Sequence, residues 1–166
     1  MPELEQLDAG HVQAVLDFEV ANRAYFAASV PDRGDAYFER FEERYRALLA
    51  EQRAGVCVFY VLVAEGGRVL GRFNLYDLAE GSAGLGYRVA REVSGRGVAT
   101  GTVREVCRLA AERHGLRTLR AAAADANPAS QKVLTKAGFV AVGPAGPADL
   151  GGKTGLWYRR DLVVPA

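Results

Sequence analysis

Two glycines flank one arginine in Gly95-Arg96-Gly97, between a short apolar stretch and a long amphipathic one. A strand feeding a glycine turn that opens a helix presents unpaired backbone N–H groups and the positive end of a helix dipole. Glycine also removes the side chain that would hold a phosphate at a distance. Together these features make an anion site. Arg91 and Arg96 are near enough in sequence to add charge-assisted contacts. Spacing excludes two familiar phosphate motifs. No Gly-Lys-Ser/Thr follows the turn, so it is not a nucleoside-triphosphate loop. A dinucleotide fingerprint needs its third glycine one position before Gly101, and early in a βαβ unit rather than after a meander. Taken alone, the loop also reads as an ordinary tight turn.

The other reactive residue types point elsewhere. Cys57 and Cys107 both lie inside apolar-periodic segments, and their spacing suits neither a disulfide framework nor a metal site. They read as buried thiols. His114 ends a helix beside Gly115, where a cation is favoured. His11 reads as a surface helix residue. No metal site is expected.

The elements that must position this loop follow from length and periodicity. A chain of 166 residues makes one domain, residues 1–166, with a core of its own. Hydrophobic residues are 49% and charged residues 25%, which excludes disordered and fibrous classes. Twenty-one basic residues against twenty acidic ones leave a net charge of +1, too little for a whole-surface grip on nucleic acid. The longest apolar run, Val56–Ala64, is too short to span a membrane. The acidic start Met1-Pro2-Glu3-Leu4-Glu5 lacks the apolar region of a signal peptide, so a cytoplasmic protein is expected.

Asp8 predicts the cap of a helix from about Gly10 to Ala28. A second helix carries Phe38, Phe41, Tyr45, Leu48 and Leu49, with Gly55 just past its end. Strands follow at Val56–Ala64, Val69–Leu78 and Ser82–Ala90, an antiparallel meander with Gly71 as a candidate bulge. After the glycine loop a helix runs to about His114, then a strand over Leu116–Ala124. Asn127-Pro128 opens another helix that Gly138 ends. Short strands are expected at Phe139–Val142 and Thr154–Val164, with a flexible loop over Gly143–Gly152 between them. This order predicts an α+β domain with a mixed sheet and helices on both faces.

Three motifs in this order resemble the GNAT superfamily of acetyltransferases. Ser94-Gly95-Arg96-Gly97-Val98-Ala99 is similar to its pyrophosphate loop, with Ser94 where Gln or Arg is usual. Leu85-Gly86-Tyr87 looks like the strand before that loop. Asn127-Pro128-Ala129-Ser130, with Ala137-Gly138-Phe139, resembles a signature of the ribosomal-protein-alanine (RimJ/RimL-like) branch, as do Asn22-Arg23 and Trp157-Tyr158-Arg159. The resemblance covers essentially the whole chain. It implies a mostly antiparallel sheet in which Ser82–Ala90 and Leu116–Ala124 are parallel and splay apart to admit acetyl-coenzyme A. By that resemblance, backbone groups of Arg88 and Val89 pair with the pantetheine. Backbone N–H groups of Gly95, Gly97, Val98, Ala99 and Thr100 hold the pyrophosphate, with Arg96 as the cofactor-binding charge beside them. Asn127 and Ser130 contact the cofactor arm, although Asn127 also reads as a plain helix cap.

The resemblance further implies transfer of an acetyl group to a primary amine, with a protein N-terminus as the first acceptor. A small-molecule amine (an antibiotic or polyamine) is an open alternative, and so is an acyl-coenzyme A binding domain without catalysis. The chain departs from the family where acid and base usually stand. Gly84 and Gly101 replace glutamates and Leu134 replaces a tyrosine. Asp77, Glu80 and Tyr87 are the candidate substitutes. Acyl transfer also needs a donor for the carbonyl oxygen, expected at a strand bulge near Gly84, Leu85 or Gly86. A homodimer exchanging its final strands is a further expectation.

Overall fold

A computed structural model describes residues 1–163. Seven strands form one sheet: β1 (Glu3–Gln6), β2 (Val58–Val63), β3 (Val69–Ala79), β4 (Ser82–Val89), β5 (Thr118–Ala124), β6 (Val140–Ala145) and β7 (Gly155–Asp161). Their order across the sheet is β1-β2-β3-β4-β5-β7-β6, and only β4 and β5 run parallel. The helices are α1 (Val12–Ala21), α2 (Arg23–Ala27), α3 (Asp35–Glu39), α4 (Phe41–Arg53), α5 (Val98–His114) and α6 (Pro128–Lys136). The expected mixed sheet with helices on both faces is present. One face packs Phe73, Leu75 and Leu85 with Val103, Val106 and Leu134. The other packs Phe59 and Val61 with Val15, Phe18, Phe26, Phe41 and Tyr45.

The structure differs from the periodicity reading at several places. The N-terminus adds β1, an edge strand antiparallel to β2. Its sequence Glu-Leu-Glu-Gln offers one apolar residue to the core, so alternation barely registers, and the charges suit an unpaired edge. The first expected helix is split at Asn22, whose Nδ2 donates to the Phe18 carbonyl while its Oδ1 accepts from the Arg91 backbone N–H. A side chain that competes for backbone partners interrupts a helix. The second is split at Arg40 into α3 and α4. β6 runs on through Gly143, Pro144 and Ala145, residues expected in the loop. It lies at the sheet edge, where a proline costs no ladder hydrogen bond. The predicted final strand ends at Asp161, and its last residue, Val164, lies outside the described residues.

Smaller expectations are also corrected. The irregularity between β3 and β4 belongs to β3: Tyr76 faces Gly84 and Ala79 faces Ser82, leaving Asp77 and Leu78 opposite Ala83 alone. Asp77 accordingly takes a positive φ of 51°. No bulge sits on Gly84, Leu85 or Gly86 of β4. His11 is no free surface residue; Asp8 and His11 form a capping box, and His11 also bonds Glu5. His114 does not serve as a helix-end cation. Burial, then the Arg113 charge, lower its pKa, and its Nε2 lies 2.7 Å from the Tyr60 hydroxyl. Cys57 and Cys107 are free and buried, as expected. No helix among the described residues is long and apolar enough to cross a membrane.

Candidate active site

The site begins where β4 and β5 part. They pair only from Ser82 to Gly84 against Thr118 to Arg120. Beyond Gly84 the edge of β4 facing β5 has no strand partner, and its main chain is open to an extended ligand. At the far end of β4 a turn of 3-10 helix (Arg91–Val93) leads into the glycine loop. Gly95 and Gly97 both have φ 75°, and no atom lies within 4 Å of where a Cβ would stand on either. Gly97 is the N-cap of α5 and supplies no side-chain cap. The first N–H groups of this 17-residue helix are therefore left for an outside acceptor.

Loop, strand edge and α6 enclose a groove of about 620 Å³. Of the residues expected to hold the cofactor, Arg88, Val89, Gly95, Gly97, Val98, Ala99, Thr100, Asn127 and Ser130 line it. Arg96 does not, and it is exposed. Asn127 plays its plain helical part, accepting from the Ser130 N–H at 3.2 Å. Ser130 Oγ lies 3.1 Å from the Tyr87 hydroxyl. Tyr87 stacks on Phe73 and lines the groove, and burial pushes its pKa up to about 12. Asp77 and Glu80 lie elsewhere. Both are exposed, Asp77 in the β3 bulge 3.9 Å from Arg120 and Glu80 in the turn that follows.

Several lining residues escape the sequence reading. Tyr25, Phe26, Ser29 and Val30 come from α2 and the loop after it. The Tyr25 hydroxyl donates to Ser94 Oγ at 3.0 Å, and Lys153 Nζ donates to the Ser29 carbonyl at 3.0 Å. These contacts join segments distant in sequence, so no local pattern announces them. Lys132 and Lys136 also line the groove. Their four-residue spacing on one helix face was the available signal. Among the described lining residues the charged ones are Arg88, Lys132 and Lys136, with no carboxylate. The groove is therefore a cationic one.

The other missed residue is Tyr76. Directly opposed strand residues share a face, so Tyr76, Gly84 and Arg120 form one row across the sheet. A Cβ on Gly84 would stand 2.2 Å from Tyr76 Cζ. Glycine is required there because the tyrosine ring lies across the strand. The same ring fills the space a glutamate at that position would use. Trp157 and Arg159 line a separate shallow concavity with Arg120, Ser82 and Thr118 at the other end of β4 and β5.

Comparison with known proteins agrees with this geometry. The acetyltransferase (GNAT) domain family matches residues 2–140. A ribosomal-protein-S5-alanine acetyltransferase from Vibrio fischeri superposes with a TM-score of 0.88 at 19% identity, covering 97% of this chain and 93% of that one. RimJ from Mycobacterium smegmatis, solved in complex with CoA-disulfide, gives 0.84 at 21% identity, over 95% and 80%. A spermidine N-acetyltransferase from Vibrio cholerae, solved with CoA and spermine, gives 0.79 at 16% identity, over 97% and 95%. No curated protein matches significantly in sequence. Since the family match runs unbroken through the splayed strand, the glycine loop and α6, this chain belongs to the GNAT acetyltransferase family.

Proposed function

We propose that this protein transfers the acetyl group of acetyl-coenzyme A to a primary amine, with a protein N-terminal α-amine as the foremost acceptor. The observation that carries the reading is the groove: an uncapped α5 N-terminus, an unpaired β4 edge and a lining with cations but no carboxylate. The residues present fit coenzyme A. N–H groups of Val98, Ala99 and Thr100 would hold its pyrophosphate, and main-chain groups of Arg88 and Val89 would pair with its amide arm. Lys132 and Lys136 supply charge for its remaining phosphate. The N-terminal acceptor follows from the likeness of Asn127–Ser130, Ala137–Phe139 and Trp157–Arg159 to the ribosomal-protein-alanine branch. The V. cholerae neighbour, by its name a spermidine enzyme, keeps the small-molecule alternative in view.

In the reaction the amine nitrogen attacks the thioester carbonyl, the C–N bond forms, and the C–S bond breaks as the thiolate leaves. Only a neutral amine attacks. No carboxylate lines the groove, so water takes the proton that the nitrogen gives up as the amide forms. Tyr87 is the one of the three substitute candidates that reaches the groove, and its raised pKa keeps it protonated. It is the donor we assign to the departing thiolate.

The test is release of free coenzyme A thiol from acetyl-coenzyme A across a panel of amines. Release should depend on the amine, and Tyr87→Phe should lower kcat about tenfold or more with little change in KM for acetyl-coenzyme A. Tight binding with no release on any amine would instead favour the non-catalytic binding domain.

A further inference from the structure

The α1 face of the sheet carries a charge imbalance that the groove's phosphate contacts do not use. Glu19 of α1 is 1% exposed and meets three guanidinium groups. Arg72 Nη1 lies 2.8 Å from it, Arg33 Nε 3.1 Å and Arg88 Nη1 3.2 Å. One carboxylate against three cations leaves an excess of two positive charges in this cluster, reduced to one when the neighbouring Arg23–Asp32–Asp35 group is counted. Arg72 is buried and also donates to the Tyr37 hydroxyl at 3.2 Å, so its charge is spent inside the protein. Arg33 and Arg88 keep side-chain exposures of 31% and 21%. Each guanidinium has five N–H donors, and Glu19 takes one from each of these two. Burial, then the Arg33 charge, lower the pKa of Arg88, which an anion beside it would relieve.

Position decides what that anion is. Side chains alternate along β4, so Tyr87 and Val89 face the α5–α6 side while Arg88 turns to α1 and stacks over Phe26 at 4.7 Å. The phosphates would lie at the N-terminus of α5, whereas the Arg88 guanidinium sits over Phe26 on the α1 side of the same groove. On the Arg88 face, the next row toward the strand fork pairs Asn74 with Gly86. Asn74 Oδ1 is buried and has no hydrogen-bond partner. An unpaired buried acceptor beside the fork suits an N–H donor, and the cations one row away suit an anion. Rows on one strand face are roughly 7 Å apart.

We propose that the acceptor is a primary amine with a carboxylate within one or two residues' reach, and that Arg33 and Arg88 select it. Asn74 Oδ1 accepts from the amine, and the two arginines hold the carboxylate. An acidic residue near a peptide N-terminus and a free acidic amino acid share this chemistry. The proposal rests on the acetyl-transfer reading above.

The test measures thiol release by the full chain with peptides beginning Ala-Glu, Ala-Gln or Ala-Lys, with free glutamate, and with spermidine. The acidic peptide or free glutamate should show kcat/KM at least tenfold above Ala-Gln and a hundredfold above Ala-Lys and spermidine. Whichever acidic acceptor wins identifies the source. Arg33→Gln should collapse the acidic-to-neutral ratio toward one, and Arg33→Lys should restore much of it. Spermidine or Ala-Lys matching the acidic acceptors, or an unchanged ratio in Arg33→Gln, would overturn the proposal while acetyl transfer stands. No release from any amine, with coenzyme A still raising the melting temperature, would overturn acetyl transfer and this proposal together.

Discussion

Replacing Gly97 by glutamate should weaken coenzyme A binding ~100-fold while leaving a folded protein. The φ of 75° costs an L-residue about 1–2 kcal/mol, and Gly97→Ala carries that cost alone. No atom lies within 4 Å of the new Cβ, so neither variant forces a clash. The glutamate adds a negative charge at the uncapped start of α5, where the phosphates would sit. Two unit charges ~5 Å apart at an effective dielectric of 20 repel by about 3 kcal/mol, which is ~100-fold in affinity. Coenzyme A should therefore raise the melting temperature of the native protein and the alanine variant, but not of the glutamate variant. Equal coenzyme A affinity in Gly97→Glu would mean that the phosphates bind elsewhere.

Glu19→Gln should destabilise the fold strongly. The variant keeps the shape but leaves Arg72, 4% exposed, without its counter-ion. Breaking a buried ion pair from one side costs about 3–5 kcal/mol. For a domain of this size that lowers the melting temperature by ~10 °C. Burial alone would raise the Glu19 pKa, but Arg72, Arg33 and Arg88 together hold it below the ordinary value of 4.5. A depressed carboxylate contributes its stability above its unfolded pKa and loses it as pH falls through the folded one. The gap between native protein and Glu19→Gln should hold steady from pH 8 to about pH 5 and narrow below 4.5. Thermal melts across that range check both points; identical melting temperatures at pH 7 would show that the cluster is not held by its charge.

The same buried carboxylate marks how far sequence reading reaches. Glu19 sits in an ordinary helical stretch, and nothing about Val12–Ala21 singles it out. Its partners Arg33, Arg72 and Arg88 lie 14, 53 and 69 positions away. The signals that were legible are local ones. Glycines at positions of positive φ and a proline at the first turn of α6 act through their own backbone, so sequence exposes them. The Asn22 break was hidden because its decisive partner is the Arg91 N–H, across the molecule. β1 was hidden because one leucine in four residues carries no period, and it exists by pairing with β2.

Gly84 shows the boundary at a single residue. The sequence marks it as a departure where relatives often carry a carboxylate. Only the packed sheet gives the reason: Tyr76 crosses the strand and occupies that space. By itself, then, the sequence determined the order of elements from β2 to β7, the glycine turn that opens α5 and the resemblance to acetyltransferases, because caps, turns and periodicity act over a few residues. The tertiary structure decided which charges meet. It closed the groove with α2, gathered three arginines on Glu19 and left Asp77 and Glu80 outside. Those outcomes depend on which strands neighbour one another and which face each side chain takes.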